Sequence, residues 1–229
     1  MSIYWLENEL PDIFNAQFAD DDGLVGIGLD LSVPVLLTAY SRGIFPWFED
    51  SGEIFWFSPD PRMVLYPEDF VISHSLKQTL KKNHFDVRTD TNFREVITRC
   101  SLEQRKEQEG TWITPAFIDA YCQLHEEGFA HSFETYLNGE LAGGLYGVSI
   151  GSVFFGESMF FKESNASKVA LAHLVDFSRN HDIRLIDAQQ ETPHLKSLGA
   201  RLLSRPEFIK QISVLIKYPT LRGNWNFLV

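Results

Sequence analysis

Apolar and polar positions recur along most of this chain with readable periods, and the periods predict its elements. Val169, Ala172, Leu174 and Phe177 fall at helical spacing within "SNASKVALAHLVDFSRNHD", which carries capping residues at its start and ends at Asn180. Further helices are expected over 74 to 83, over 92 to 100, and from Pro115 to about Glu127, where Gly128 stops the last of them. "AHSFETYLNGELAGGLYGVSIGSVFFGESMF" alternates instead. Asn138-Gly139 is a hairpin signal and Ile150-Gly151 a second reversal, so three antiparallel strands follow. Strands are also expected near 85 to 89 and over 183 to 189, with a charged loop, "SLEQRKEQEG", at 101 to 110 and a mixed segment at the end.

Residues 1 to 62 read differently. Asp30 or Ser32, followed by Pro34, starts a short helix that runs to about Tyr40 and is closed by Gly43, after which a Phe/Trp/Pro segment shows little periodicity. The pattern predicts an α+β protein with a mixed, mostly antiparallel sheet. A small N-terminal domain spans 1 to 62 and a second domain 63 to 229, with the boundary near Arg62.

Three polar residues interrupt this apolar patterning. In "LIDAQ", strand alternation would carry Asp187 and Gln189 to one face. Glu157 sits in "FFGESMF" between Phe154, Phe155, Met159 and Phe160. An unpaired carboxylate there is costly, so it must be paired, as in a structural salt bridge, or hydrogen-bonded, protonated or facing a ligand. Polar groups gathered over an apolar pocket are the usual anatomy of a small-ligand site.

Composition narrows the setting. The chain has 229 residues, 44% of them hydrophobic, enough for a sizeable core. With two cysteines, no basic-plus-apolar leader and no apolar run of membrane-spanning length, a cytoplasmic protein clear of the membrane is expected. The net charge of -11 argues against nucleic acid unless positive charge is local. It is local in "VISHSLKQTLKKNHFDVR", where Lys77 and Lys81 stand at i, i+4 beside Lys82. That pattern fits a solvated helix face or a phosphate-binding one.

"HEEGFAH" lacks a histidine four residues after His125, so a helical zinc site is rejected. The glycines of "GGLYGVSIG" lead into a strand without Gly-Lys-Ser/Thr; they mark bulges or close backbone approach, not a phosphate loop. Cys100 and Cys122 read as packed thiols. Trp47, Trp56 and Trp112 lie in glycine- and proline-flanked segments, either as core or as stacking platforms for nucleobases.

Ten segments in order carry a resemblance over about Gly23 to Glu207: "GLDLS", "AYSRGIFPWF", "WFSPDPRMVL", "GTWIT", "AYCQLHEEGFAHSFE", "GGLYGV", "FFGESMF", "NASKVAL", "LIDAQ" and "SLGA". The chain resembles the leucyl/phenylalanyl-tRNA-protein transferases. The resemblance implies a C-terminal domain similar to the acetyltransferase (GNAT) fold, without metal or cofactor. It implies transfer of Leu, Phe and Met from aminoacyl-tRNA to proteins with N-terminal Arg or Lys, marking them for N-degron degradation, by an enzyme acting as a monomer. Asp187 and Gln189 are then the catalytic pair and Glu157 the acceptor-binding residue, with Phe154, Met159, Leu171 and Ile186 around the aminoacyl side chain. Leu145 and Leu174 complete that wall where Met or an aromatic residue is expected. Trp47 and Trp112 face the terminal adenosine, and Lys77, Lys81 and Lys82 the acceptor stem. In this reading Gln189 orients the attacking amine while Asp187 fixes its amide or draws charge through it. A CoA-dependent N-acyltransferase is the rival, although "FKESNASK" lacks the glycines of a pyrophosphate turn. A non-catalytic adaptor for basic N-termini is a second rival.

Overall fold

The structure, a computed structural model, describes residues 5–6, 14–103 and 112–228. The charged loop expected at 101 to 110 falls mainly on residues 104–111 and lies outside the described residues.

Two sheets follow one another along the chain. The first contains β1 (Trp5–Leu6), β2 (Leu24–Gly28), β3 (Phe45–Asp50) and β4 (Glu53–Phe57) in the order β1-β2-β4-β3. Between β2 and β3 runs α1 (Val33–Ser41), with Ser32 at its N-cap and Pro34 in its first turn, as their spacing predicts. The Phe/Trp/Pro segment of little periodicity is the β3–β4 hairpin. Two features hide it in the sequence. Pro46 is tolerated because β3 is an edge strand, and a bulge at Trp47 breaks the alternation where the register steps from Pro46↔Trp56 to Phe48↔Phe55.

The second sheet has seven strands: β5 (Arg62–Leu65), β6 (Asp86–Thr89), β7 (Ala130–Leu137), β8 (Glu140–Ile150), β9 (Val153–Phe161), β10 (Leu185–Gln189) and β11 (Arg201–Leu203). Their order is β11-β5-β10-β9-β8-β7-β6. β7, β8 and β9 are the three antiparallel strands expected around the Asn138-Gly139 and Ile150-Gly151 turns. β5 and β11 are too short to show a period and were not expected. Its helices are α2 (His74–Lys82), α3 (Phe93–Ser101), α4 (Pro115–Glu126), α5 (Ala166–Asn180), α6 (Pro193–Ser197) and α7 (Arg205–Leu215). The one parallel pair among the described strands of this sheet is β9 with β10, joined by α5, because parallel neighbours need a crossover.

Alternation along β8 and β9 divides the core. Tyr146 and Phe155 pack with Tyr121, and with Phe14, Tyr40 and Trp56 from the first part of the chain. Leu145 and Phe154 pack on the opposite face with Leu171, Leu174, Ile186 and Trp225. Apolar packing therefore runs without a break across Arg62 from the first sheet to the second. Cys100 and Cys122 are buried in that packing.

The glycines of β8 allow close approach, as read from the sequence. A Cβ on Gly143 would meet Ala166 Cβ at 2.6 Å, and one on Gly147 would stand 2.3 Å from the Phe155 carbonyl oxygen and 2.5 Å from the Phe154 ring. Neither neighbour of Gly147 is the loose end of a flexible chain. Gly147→Ala is therefore expected to cost about 3 kcal/mol by overpacking, measured by urea unfolding.

Candidate active site

β9 and β10 pair only as far as Phe155↔Asp187. Beyond that rung the strands part, and a cavity of about 380 Å³ opens between residues 156 to 159 of one and 187 to 190 of the other. Leu145, Phe154, Met159, Leu171, Leu174 and Ile186, the six residues expected in an aminoacyl pocket, line this cavity together with Glu157, Asp187 and Gln189. The wall is apolar because β8, β9, β10 and α5 all turn hydrophobic side chains toward it.

Asp187 is fully buried, and its partner is a residue that the sequence reading missed. Arg62 on β5, also fully buried, reaches across the antiparallel β5–β10 pair and binds both carboxylate oxygens, Nε to Oδ1 at 2.8 Å and Nη2 to Oδ2 at 2.6 Å. The guanidinium lies 4.7 Å from the centres of both the Phe45 and Phe208 rings. The signal in the sequence was an arginine opening the apolar run "RMVL", since a cation buried there needs an anion. Both oxygens of Asp187 are thereby held by a cation.

Regular alternation does not extend to Gln189. The register steps from Asp187↔Val64 to Gln189↔Met63, which makes Ala188 an extra residue, and Gln189 adopts φ of +60°. Its backbone N–H donates to Asp187 Oδ1 at 2.9 Å, which holds the bulge. The side-chain amide is held elsewhere: Nε2 donates to Glu157 Oε1 at 2.8 Å. The expectation that Asp187 fixes this amide is thus corrected. Asp187 holds the backbone of Gln189, and Glu157 holds its side chain.

Glu157 is buried and makes no salt bridge among the described residues, so the structural ion pair considered for it is not formed there. Its Oε2 accepts from the Tyr121 hydroxyl at 3.0 Å, and Tyr121 in turn shares a short hydrogen bond with Tyr40. Burial pushes the Glu157 carboxyl up to about 7; hydrogen bonds from Tyr40, Tyr121 and Gln189 pull it down, and the nearby Asp187 pushes it up. Neither tyrosine was expected at the site.

The aromatic residues divide. Trp56 is core, fully buried with its indole N–H on the Gly28 carbonyl at 2.7 Å. Trp47 and Trp112 are half-buried and flank a small cleft beside Phe45, Pro46, Glu157 and Gln189. Trp47 stands on a strand, β3, at the bulge that hides the strand's alternation in the sequence. Lys77, Lys81 and Lys82 are exposed on α2, which is capped by Ser73 and packs through buried Leu76. Thr79 of the same helix accepts from Asn165 at the start of α5. No cluster of three or more metal-ligating side chains occurs among the described residues.

Arg62 and Asp187 make a direct stability prediction. Arg62→Met strands a buried carboxylate and is expected to lose about 3–5 kcal/mol in urea unfolding. The Arg62→Met/Asp187→Leu double variant should regain much of that loss, because the cost lies in the unpaired charge.

Comparison with known proteins adds the identity of the relatives. Family models described as the leucyl/phenylalanyl-tRNA protein transferase and its N-terminal domain match residues 64–213 and 29–60. The leucyl/phenylalanyl-tRNA–protein transferase of Desulfatibacillum aliphaticivorans is 49% identical over 99% of this chain and 97% of its own. That of Chromobacterium violaceum is 47% identical over 98% of this chain and 97% of its own. Solved structures are more distant. L-PGS from Bacillus licheniformis aligns at 9% identity over 82% of this chain and 71% of its own, with a TM-score of 0.43. An aminoglycoside acetyltransferase from an uncultured soil metagenomic sample aligns at 10% over 57% and 88%, with a TM-score of 0.37. Near-half identity sustained from end to end of both sequences is the mark of common descent, and the chain belongs to the leucyl/phenylalanyl-tRNA protein transferase family.

Proposed function

We propose that this enzyme moves Leu, Phe or Met from its aminoacyl-tRNA onto the α-amino group of a protein beginning with Arg or Lys. It works in the cytoplasm as a monomer, and its products enter N-degron degradation. The observation that carries the reading is the cavity between β9 and β10, apolar over much of its wall and with one oriented amide, Gln189, in its lining.

The reaction is aminolysis of an activated ester. The acceptor amine attacks the aminoacyl carbonyl, and the ribose hydroxyl leaves. An α-amine has a pKa of about 7.7–8.0, so a useful fraction is neutral near neutral pH and no strong base is required. Gln189 suits that chemistry. Its NH₂ is committed to Glu157, so its carbonyl oxygen is left to accept a hydrogen bond from the attacking amine. Holding amine and ester in register is worth about 7–11 kcal/mol, and most of the acceleration is assigned to it. Asp187 contributes by fixing the β10 bulge through the Gln189 backbone. Glu157 receives the cationic end of the acceptor as well as the Gln189 amide.

Trp47 and Trp112 suit the terminal adenosine, each stack being worth about 1–3 kcal/mol. The lysines of α2 suit the acceptor-stem phosphates. The donor cavity discriminates weakly by size, since one methylene is worth about 1–3 kcal/mol in such a pocket. A CoA-dependent reading is not favoured, because the β9–α5 turn lacks the glycines that cradle a pyrophosphate.

Incubation with labelled Leu-tRNA and a peptide beginning with Arg should yield a new peptide bond that depends on the tRNA; no product would overturn the reading. In the same assay Gln189→Ala is expected to lower kcat about 100-fold at saturating substrates. An unchanged kcat would remove Gln189 from the role given to it. Replacing Lys77, Lys81 and Lys82 together should weaken tRNA binding and flatten its salt dependence by roughly one unit of slope for each phosphate no longer neutralised. A slope like that of the unaltered enzyme would put the tRNA on another face.

A further inference from the structure

The role given to Gln189 depends on which end of its amide meets the amine. The oxygen accepts and the NH₂ donates, the two ends are nearly the same size, and the hydrogen-bond partners alone decide the orientation. Here the NH₂ is taken by Glu157 Oε1. That holds while Glu157 is an anion, which can only accept. A protonated Glu157 can donate to the Gln189 oxygen, and the amide can then turn its NH₂ toward the substrate, where it has nothing to accept with.

Several elements bear on whether Glu157 stays charged. Tyr40 faces it from α1 and Tyr121 from α4. Asp187 and Gln189 face it from β10, the charge of Asp187 being paired with Arg62 of β5. Tyr146 of β8 and His194 of α6 line the same cavity. Burial and Asp187 favour the neutral acid, and no cation contacts Glu157 among the described residues. What favours the anion is the Gln189 NH₂ and the two phenols. Burial and the Glu157 charge hold both phenols well above the usual tyrosine range, so they remain donors at every working pH. Tyr121 donates to Glu157 Oε2, and Tyr40 joins Tyr121 from behind.

We propose that Tyr40 and Tyr121 are positioning residues for the transfer reaction: Tyr121 by donating to Glu157, and Tyr40 by donating to Tyr121, keep the carboxylate an acceptor, which locks the Gln189 amide with its oxygen toward the incoming amine. This rests on the reading of Gln189 given above. The sign follows from the carboxyl at about 7. Above that pH Glu157 is ionised and the amide is locked; as pH falls through it, the acid forms, the lock opens and the rate drops. Losing a phenol hydroxyl destabilises the anion, moves its titration upward and carries the acidic limb of the rate profile with it.

The test is kcat/KM for an Arg-initiated peptide at saturating Leu-tRNA, read at short times across the neutral to alkaline range, so that it reports Glu157 before the acceptor's cationic end reaches it. In Tyr121→Phe the acidic limb should move up by about one pH unit, since a hydrogen bond to a charged group is worth that much. The rate should fall roughly fivefold near neutrality and recover about two pH units higher. Tyr40→Phe should move the limb the same way. The ionisation of the acceptor amine is common to all the enzymes and cancels. An unmoved limb, or an equal loss at every pH, overturns the proposal, the second because it is what a merely structural tyrosine would produce. Should Tyr121→Phe fail to fold by thermal unfolding, Tyr40→Phe carries the same test. A Gln189→Ala enzyme with full kcat would sink the reading of Gln189 itself; a slow one combined with an unmoved Tyr121→Phe limb would sink only this inference.

Discussion

Two opposite charges, Arg62 and Asp187, sit on neighbouring strands toward one side of the second sheet with no access to water, and much of the rest is arranged around keeping them together. Removing both from water costs several kcal/mol per ion, and only close bidentate geometry with further hydrogen bonds offsets it. The geometry is available because β5 and β10 are antiparallel neighbours, and because Phe45 and Phe208 provide ring faces for the guanidinium. Phe45 belongs to the first sheet and Phe208 to α7. One ion pair thereby ties together three parts of the chain that are far apart in sequence.

Asp187 has one more job once both its oxygens are held. It accepts the backbone N–H of Gln189 and so stabilises a bulge in which a non-glycine residue takes positive φ. Such conformations cost of order 1–3 kcal/mol and persist when the surroundings over-determine them. A second bulge, at Trp47 on β3, borders the same cleft. The site is thus framed by two departures from strand regularity, each backed by well-ordered neighbours.

The hydrogen-bond chain from Tyr40 through Tyr121 and Glu157 to Gln189 draws on α1, α4, β9 and β10. It joins the first part of the chain to the second through polar contacts, beside the apolar packing of Tyr40 against Phe155. A carboxyl poised at about 7 in such a chain is sensitive to every donor it touches, which is why two phenols remote from the substrate can matter to the reaction.

The sequence by itself determined what depends on near neighbours. The Asn138-Gly139 hairpin, the Pro-started helices α1 and α4, the periodic α5 and the close-packed glycines of β8 all follow from local backbone preference and side-chain spacing. So does the polarity of the site: Glu157, Asp187 and Gln189 stand out because each breaks an apolar run, and the apolar residues beside them were legible as a wall. Tertiary structure alone decided the partners. Arg62 lies 125 residues from Asp187, and Tyr121 lies 36 from Glu157, separations that no period can bridge. The same holds for the two bulges, which appear only when a strand is set against its neighbour, and for the tryptophans: three alike in local sequence became one core residue and two at the cleft. Periodicity reports which face a residue turns inward; what it meets there is fixed by chain closure over distances the local pattern does not encode.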